Sequence, residues 1–397
     1  MAISAFINQE DMHFADNRIL LNFGLGFGQT AKCSIQEQMS APTGQLPWYN
    51  TLYSLQIFGN DRSEQILDIS EVIQSQLKEI MLDFPTLEQN MFNDTRPVMR
   101  SSILYIDYYI LIEINNASSR LGPFRALSGG LNRSLLDEDA SAFSQKRHET
   151  DQAILTTRTI MPNIVMKECE VYPLHFALRQ GFGNRNLTIT SNGKTLNVPL
   201  DNVHGNFDEF YALNVERIRK MFFDSHNIFP TQMDFHTNER NLCSLTIVED
   251  NSPKPLVLIF KNTFGAYEKQ ALNPKFSIEN KFEKNIHQTL NIKSHEFVKE
   301  SSRAIRSDVM TASLMINSTE ELIFALDILH SDDVWLEYQG KKQAMLVSAE
   351  TVVRSNDFKP FAITLTIEPR ITDPFAPIDL LSQQSRIFDL TFDDTFE

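Results

Sequence analysis

The sequence predicts a mainly β protein of two to three β-sandwich-like modules, with a few short helices packed on antiparallel sheets. Its 397 residues exceed what one hydrophobic core usually holds, so we expect more than one domain. Short runs in which apolar and polar residues alternate recur along the chain, which is typical of half-buried strands. We place the modules at residues 1–150, 151–274 and 275–373, followed by a C-terminal arm at 374–397.

A run of five apolar residues, Leu256–Phe260, is the most buried strand that the sequence predicts. It is too short for a buried helix, and two prolines precede it. A strand that is apolar at every position is covered on both faces. The segment Asn262–Gly265 then supplies a turn in which the glycine can adopt positive φ. We expect the strand to form a hairpin with Ser244–Val248 and to close the middle module.

The N-terminal module contains two strands separated by a glycine-rich bend at Gly24–Gly28. Tyr53–Ile57 alternates strictly and predicts a further strand. Ser70 is positioned to cap a helix that ends near Ile80 and lies across the sheet. Ile103–Ile114 is apolar enough to be a central strand.

The most explicit hairpin is Leu187–Val198, because an Asn-Gly pair between alternating strands favours a type I′ turn. A short amphipathic helix follows at Asn214–Phe223. In the C-terminal module, Ser318 caps a helix at Thr319–Leu329 that begins with acidic residues. We expect this helix to pack on an antiparallel sheet, whose predicted strands are Phe276–Phe282, Ile286–His295, Val334–Tyr338, Gln343–Ser348 and Phe361–Ile367.

Composition argues against several functional classes. The net charge of −15 argues against a general binder of nucleic-acid backbones, because neutralising phosphates requires a basic surface. No segment approaches the roughly 20 apolar residues of a membrane helix, and the N-terminus lacks a basic and apolar signal sequence. We therefore expect synthesis in the cytoplasm and no membrane anchor. The cysteines Cys33, Cys169 and Cys243 are widely spaced, which indicates buried thiols.

No catalytic or metal-binding motif is recognisable. The nine histidines are scattered without the spacing of a zinc site. Asp332 and Asp333 beside Trp335 do not form a glycosidase pair, because adjacent residues of a strand point to opposite faces. The glycines at 24, 26 and 28 are not followed by a helix that would bind phosphate. We predict no enzymatic activity, no cofactor and no metal site.

Four pieces of the C-terminal half occur in an informative order: Phe260–Gly265 (FKNTFG), the helix with its cap at Ser318–Leu329, Ser331–Trp335 and Glu368. In this order they resemble structural tail proteins encoded by bacteriophages and prophages of Bacteroidetes. In those proteins a strand ending in (W/F)KNxFG precedes a polar strand, an acidic-capped helix and a β-hairpin. The shared motifs are structural rather than catalytic.

The resemblance implies a structural virion component, synthesised in the cytoplasm of a bacterial host. It would be a tail, ring or connector-region subunit forming a symmetric homo-oligomer, and a ring requires heterologous contacts that close. The implied partners are copies of itself and neighbouring tail or portal-region proteins. From the acidic composition, and not from the resemblance, we infer that genomic DNA passes without specific binding through an acidic lumen. Within the matched pieces, Phe264 and Trp335 are candidate interaction residues, since aromatic side chains are enriched at interfaces.

The C-terminal arm supplies the other candidate interaction residues, Phe388, Phe392 and Phe396. Prolines end the preceding module, because proline lacks the amide donor that a sheet requires. Four-residue spacing would align the three rings on one face of a helix, whereas the scarcity of helix formers favours an extended arm equally. We predict that the arm docks onto a neighbouring subunit, although a solvated acidic tail fits the same composition.

An alternative function, that of a binding module instead of a structural subunit, is a β-sandwich at the tail tip that binds carbohydrate or a receptor. Such a module requires exposed tryptophan or tyrosine platforms, and Trp48 and Trp335 are the two tryptophans. A third reading, a polysaccharide-degrading enzyme, lacks the paired carboxylates that glycoside hydrolysis uses.

Overall fold

The computed structural model describes residues 5–7, 12–39, 47–59, 64–80, 84–93, 96–100, 104–130, 155–157, 163–167, 173–178, 186–200, 209–237, 240–248, 256–272, 276–291, 293, 296–338, 341–349, 352 and 360–370. The chain forms two compact units. The N-terminal unit comprises Met1–Val248 together with Asn262–Tyr267, and the C-terminal unit comprises Glu249–Lys261 together with Glu268–Glu397. The described strands form five sheets, mostly antiparallel, which confirms the predicted mainly β fold.

Two sheets and a helix share the first core of the N-terminal unit. The sheet orders are β1-β3-β6 and β2-β9-β8-β4-β5. Apolar side chains from β3, β4, β8 and helix α1 form one buried cluster between them. The bounds are β1 Ala5–Ile7, β2 Met12–Phe14, β3 Leu20–Gly24, β4 Thr30–Met39, β5 Trp48–Phe58, β6 Glu64–Asp68, α1 Ser70–Ile80, α2 Phe84–Asn93, β8 Tyr105–Ile114 and β9 Ala117–Leu127.

A second core in the same unit lies among the sheets β11-β14-β7 and β10-β16-β15-β12-β13 and helix α3. Phe176 and Tyr211 stack within it, with their ring centroids 5.4 Å apart. The bounds are β7 Val98–Arg100, β10 Asn163–Lys167, β11 Pro173–Leu178, β12 Asn186–Ser191, β13 Lys194–Pro199, β14 Glu209–Asn214, α3 Val215–His226, β15 Gln232–Thr237 and β16 Arg240–Val248. The predicted division at residue 150 stays a prediction, because residues 131–154 lie outside the described part.

Local predictions in the N-terminal unit agree with the structure, with one correction. The glycine bend separates β3 from β4, and the β12–β13 turn has φ of 50° at Asn192 and 70° at Gly193, as a type I′ turn requires. Ser70 does not cap α1. The carboxylate of Asp68 instead accepts hydrogen bonds from the Ser70 backbone N–H at 3.1 Å and hydroxyl at 2.7 Å.

The C-terminal unit contains one seven-stranded sheet, ordered β18-β17-β21-β22-β23-β20-β19. Helix α4 packs on it through buried side chains such as Phe324 and Ile328. The Ser318 hydroxyl accepts a hydrogen bond from the Glu321 backbone N–H at 3.2 Å, which confirms the predicted cap. The bounds are β17 Leu256–Lys261, β18 Tyr267–Ala271, β19 Phe276–Asn291, β20 Glu296–Ile316, α4 Thr319–His330, β21 Val334–Tyr338, β22 Lys341–Ser348 and β23 Phe361–Pro369.

The predicted hairpin between Ser244–Val248 and Leu256–Phe260 is wrong. Strand β17 pairs with β21, in the register Leu258↔Leu336, and β16 pairs with β15 and β10. The strand that we placed in the middle module therefore belongs to the C-terminal sheet. Its residues 256–260 are all buried, as predicted. Complete burial is satisfied by any central position in a sheet, so the apolar run does not identify the partner strand.

The structure also corrects the first two strands predicted in the C-terminal module. The two strands predicted at Phe276–Phe282 and Ile286–His295 are one 16-residue strand, β19, with a β-bulge between Lys284 and Ile286. Strand β20 has 21 residues and pairs with β19 along the length of β19. The many polar and charged residues of β19 and β20 make the alternation of these strands difficult to recognise in the sequence.

Candidate functional site

The longest uncharged edge of the N-terminal unit is strand β5, which we call the aromatic edge (Trp48–Phe58). Among the described residues it pairs only with β4. Its sequence, WYNTLYSLQIF, contains no charged residue and no proline. Three of its aromatic side chains are exposed: Trp48 at 54%, Tyr53 at 43% and Phe58 at 71%. An edge strand with these properties presents free backbone groups and apolar rings to a partner.

A fourth exposed ring, Phe27, belongs to the glycine bend and is 80% exposed. The bend reaches the end of β5, because the Gly59 N–H donates to the Gln29 carbonyl at 2.8 Å. A Cβ atom on Gly59 would lie 2.1 Å from the Gly26 carbonyl oxygen, so this contact requires glycine. Neither Phe27 nor Phe58 was singled out in the sequence. In the sequence, the glycines on either side of Phe27 are the only local indication that this ring lies in an exposed turn.

The outer face of the same sheet is polar and aromatic beside β5. The guanidinium of Arg120 lies 3.6 Å from the ring centroid of Tyr49. Tyr49 contacts Tyr109 edge-on, with centroids 5.0 Å apart, and the Tyr109 hydroxyl donates to Gln38 Oε1 at 2.5 Å. Burial, with a smaller contribution from nearby Tyr49 and Asp107, raises the pKa of Tyr109. This tyrosine therefore stays neutral at physiological pH.

The buried guanidinium of Arg125 holds the carboxylate of Asp107, on strand β8, in a fixed position. Arg125 donates from Nε and from one terminal nitrogen to the two carboxylate oxygens, each at 2.6 Å. The same guanidinium lies 3.7 Å from the Tyr105 ring centroid. A fork of two charge-assisted hydrogen bonds of this kind is short, strong and specific in its geometry.

The C-terminal unit has an exposed feature of its own, the β19–β20 ribbon, which we define as Glu279–Asn291 paired with Glu296–Val309. Strand β23 pairs with β20 only over Met310–Ile316. Beyond that point the ribbon has no third strand among the described residues. Near its turn Phe297 is 69% exposed and Val298 is 40% exposed.

Burial shifts the pKa of several titratable groups among the described residues. Burial lowers the pKa of His13 and of His175 to about 4 and raises the pKa of Cys33 to about 11. Cys243 is also a buried free thiol, whereas Cys169 lies outside the described residues. Within the described residues, no group of three or more His, Cys, Asp or Glu side chains could hold a metal ion.

The predicted interaction residues have different surroundings. Phe264 packs against the cluster that contains Phe14, with centroids 6.5 Å apart. Trp335 is half-buried, and its indole N–H donates to the Asp333 carboxylate at 3.0 Å. Phe388, Phe392 and Phe396 lie outside the described residues. The interaction roles of all five stay predictions.

Comparison with known proteins assigns no family. No family model matches the chain, and no curated protein matches it. Among solved structures, the crystal structure of dimeric latent PorU from Porphyromonas gingivalis is similar at 8% identity and a TM-score of 0.19. The match covers 86% of this chain and 33% of the PorU chain. A TM-score this low carries no argument about fold or function.

No helix among the described residues is both long and apolar enough to cross a membrane.

Proposed function

We propose that this protein is a structural component of a bacteriophage virion, a tail, ring or connector-region subunit whose copies form a symmetric oligomer. The observation that supports assembly most is the β19–β20 ribbon. Among the described strands, the segment Glu279–Asn291 of β19 pairs with β20 alone, with twelve of its thirteen residues in register. The segment spans about 43 Å at about 3.3 Å per residue. An isolated two-stranded hairpin is marginally stable in water, so a ribbon of this length calls for a further surface to pack on.

The aromatic edge supports the same proposal independently. On the other unit of the chain, strand β5 has three exposed rings and one edge that pairs with no strand in the described part of the chain. Two different exposed features on one subunit are what heterologous, ring-forming contacts use. The position within a virion and the neighbouring tail or portal-region proteins rest on the resemblance of the C-terminal segments. The passage of DNA rests on the net charge of −15.

The test is the native mass of the purified full chain, measured by sedimentation and mass photometry over a range of concentrations. We expect a defined multiple of the 45.6 kDa subunit, and closed rings or stacked discs in electron micrographs. A folded monomer at every concentration, together with absence of the protein from purified particles, contradicts the proposal.

The second candidate is a carbohydrate- or receptor-binding module at the tail tip, and the exposure of Trp48 and Tyr53 on one strand favours it. Aromatic rings of this kind stack on sugar rings. Glycan binding by the full chain that is lost in Trp48→Ala and kept in Trp335→Phe would support this candidate. An oligomer without glycan binding supports the first proposal.

A further inference from the structure

Apart from the β-bulge in its pairing with β4, between Ile35 and Gln36, strand β5 has none of the devices that normally protect an edge strand among the described residues. Natural edges are short, or carry lysine, proline or a covering segment. The eleven residues of β5 include none of these residue types. The edge strands β6, β10 and β13 have only five or six residues each, and the long edge strand β19 carries several charged residues. Among the described edges, β5 is therefore the one best suited to accept another strand.

The two faces of the sheet differ in polarity beside β5. This difference determines which side-chain pattern a strand added to β5 would need. On the inner face, Leu55 pairs with buried Cys33 and Ile57 pairs with buried Ala31. On the outer face, Tyr49 lies under the guanidinium of Arg120. Arg120 forms no ion pair with the described residues. A complementary strand would place apolar side chains inward and acidic or polar side chains outward.

The C-terminal arm contains a segment with this pattern, Ile387–Asp393. In an extended conformation, Phe388, Leu390 and Phe392 would share one face of this segment. Its other face would carry Ile387 at one end, followed by Asp389, Thr391 and Asp393. The apolar face matches the inner side of β5, and the acids match the exposed cation Arg120.

We propose that Ile387–Asp393 of a neighbouring copy adds to β5 as an extra strand. Backbone hydrogen bonds to the β5 edge would give affinity, and the alternating side chains would give register, as in other cases of β-strand addition. The sixteen residues from Ile371 to Arg386 span roughly 50 Å when extended, which suffices to reach an adjacent subunit. This inference rests on the proposed function, because it requires an assembly of copies.

Hydrogen–deuterium exchange of the full chain tests this contact directly. The amides of Trp48–Phe58 are compared between the native protein and the variant Phe388→Ser/Phe392→Ser, at a concentration where the native protein is assembled. We expect β5 amides to exchange about tenfold faster or more in the variant, because the added strand is lost. The control Leu380→Ser/Leu381→Ser removes apolar side chains from the arm outside the alternating segment, and it should leave exchange as in the native protein.

Each outcome decides the proposal. Unchanged exchange in the Phe388→Ser/Phe392→Ser variant overturns it, and so does an equal effect in the control. Slow exchange of β5 that survives dilution to the monomer also overturns it, because the strand would then come from the same chain. If the protein assembles while β5 exchange is unaffected, only this inference fails. If it never assembles, the proposed function fails as well.

Discussion

Asn262 shows at the scale of one residue how a polar side chain stabilises a buried turn. Its side-chain oxygen accepts hydrogen bonds from the backbone N–H groups of Phe264 and Ala266, each at 3.0 Å. Its amide group donates to the Leu155 carbonyl at 2.8 Å. Gly265, with φ of 79°, fits against Ser128, where a Cβ atom would approach to 2.6 Å. The turn therefore tolerates neither a larger residue at 265 nor loss of the amide at 262.

Asn262→Ala should lower the free energy of unfolding of the N-terminal unit by about 3 kcal/mol, because it leaves buried backbone groups without hydrogen bonds. The measurement is urea unfolding of the full chain, followed by the near-ultraviolet circular dichroism of the aromatic cores. The matched control is Asn186→Ala, at an exposed position, which should change stability by less than about 0.5 kcal/mol. Equal losses in the two variants would contradict the role of Asn262.

His13 should make stability depend on pH. Burial lowers its folded-state pKa from 6.5 to about 4, so the folded protein keeps this side chain neutral while the unfolded chain protonates it. Stability from this residue is complete above pH 6.5 and falls as the pH decreases toward 4, by up to roughly 3 kcal/mol. His175 is buried in the same way and adds a second contribution of the same sign.

The check is the free energy of unfolding between pH 7.5 and 4.5 for the native chain and for His13→Gln. The variant should lose stability less steeply over this range, because its neutral amide does not titrate. His330→Gln, on the exposed end of α4, is the control and should follow the native curve. A native curve that is flat between pH 6.5 and 4.5 would refute the prediction.

At the scale of elements, the ribbon and the remainder of its sheet differ in what stabilises them. Within the sheet, the Lys269 ammonium is buried and contacts the Glu337 carboxylate at 3.0 Å, while apolar side chains pack under α4. In the ribbon, β19 and β20 have only each other among the described strands. We expect the ribbon to be the first part of this sheet to open, since local stability follows local packing.

Replacing both apolar residues near the ribbon turn, in Phe297→Ser/Val298→Ser, should weaken association by about tenfold or more. Burying one phenylalanine contributes roughly 1.5–3 kcal/mol, which corresponds to about 10- to 150-fold in the dissociation constant. The melting temperature should stay within a few degrees of the native value, because both side chains are exposed in the subunit. Sedimentation over a concentration series gives the constant.

The control for the ribbon is Met315→Ser, an exposed apolar residue of β20 in the part that pairs with β23. It removes one exposed apolar side chain away from the ribbon and should leave association unchanged. If the control weakens assembly as much as the ribbon variant does, the effect is one of general surface hydrophobicity rather than of the ribbon.

At the scale of the whole molecule, the net charge bears on what the proposed assembly would bind. The net charge of −15 on each chain accumulates with every copy in an oligomer. Like charges repel the phosphate backbone, so an oligomer could surround DNA without adhering to it.

We predict that the assembled protein does not retain double-stranded DNA in an electrophoretic mobility assay at about 0.1 M salt, where the Debye length is about 10 Å. Retention that weakens steeply as salt rises would show phosphate contacts from a basic patch and would contradict the prediction. A DNA-binding protein of known affinity in the same gel confirms that the assay detects binding.

The sequence by itself determined the mainly β fold, the Asn192–Gly193 turn, the Ser318 cap and the burial of Leu256–Phe260. These features depend on residues within a few positions of one another, through backbone preference and alternation. The tertiary structure alone decided that β17 pairs with β21 rather than β16, and that β19 and β20 extend as one ribbon. It also exposed the aromatic edge. Alternation specifies which face of a strand is buried but not which strand lies beside it, because pairing depends on contacts between residues far apart in the chain.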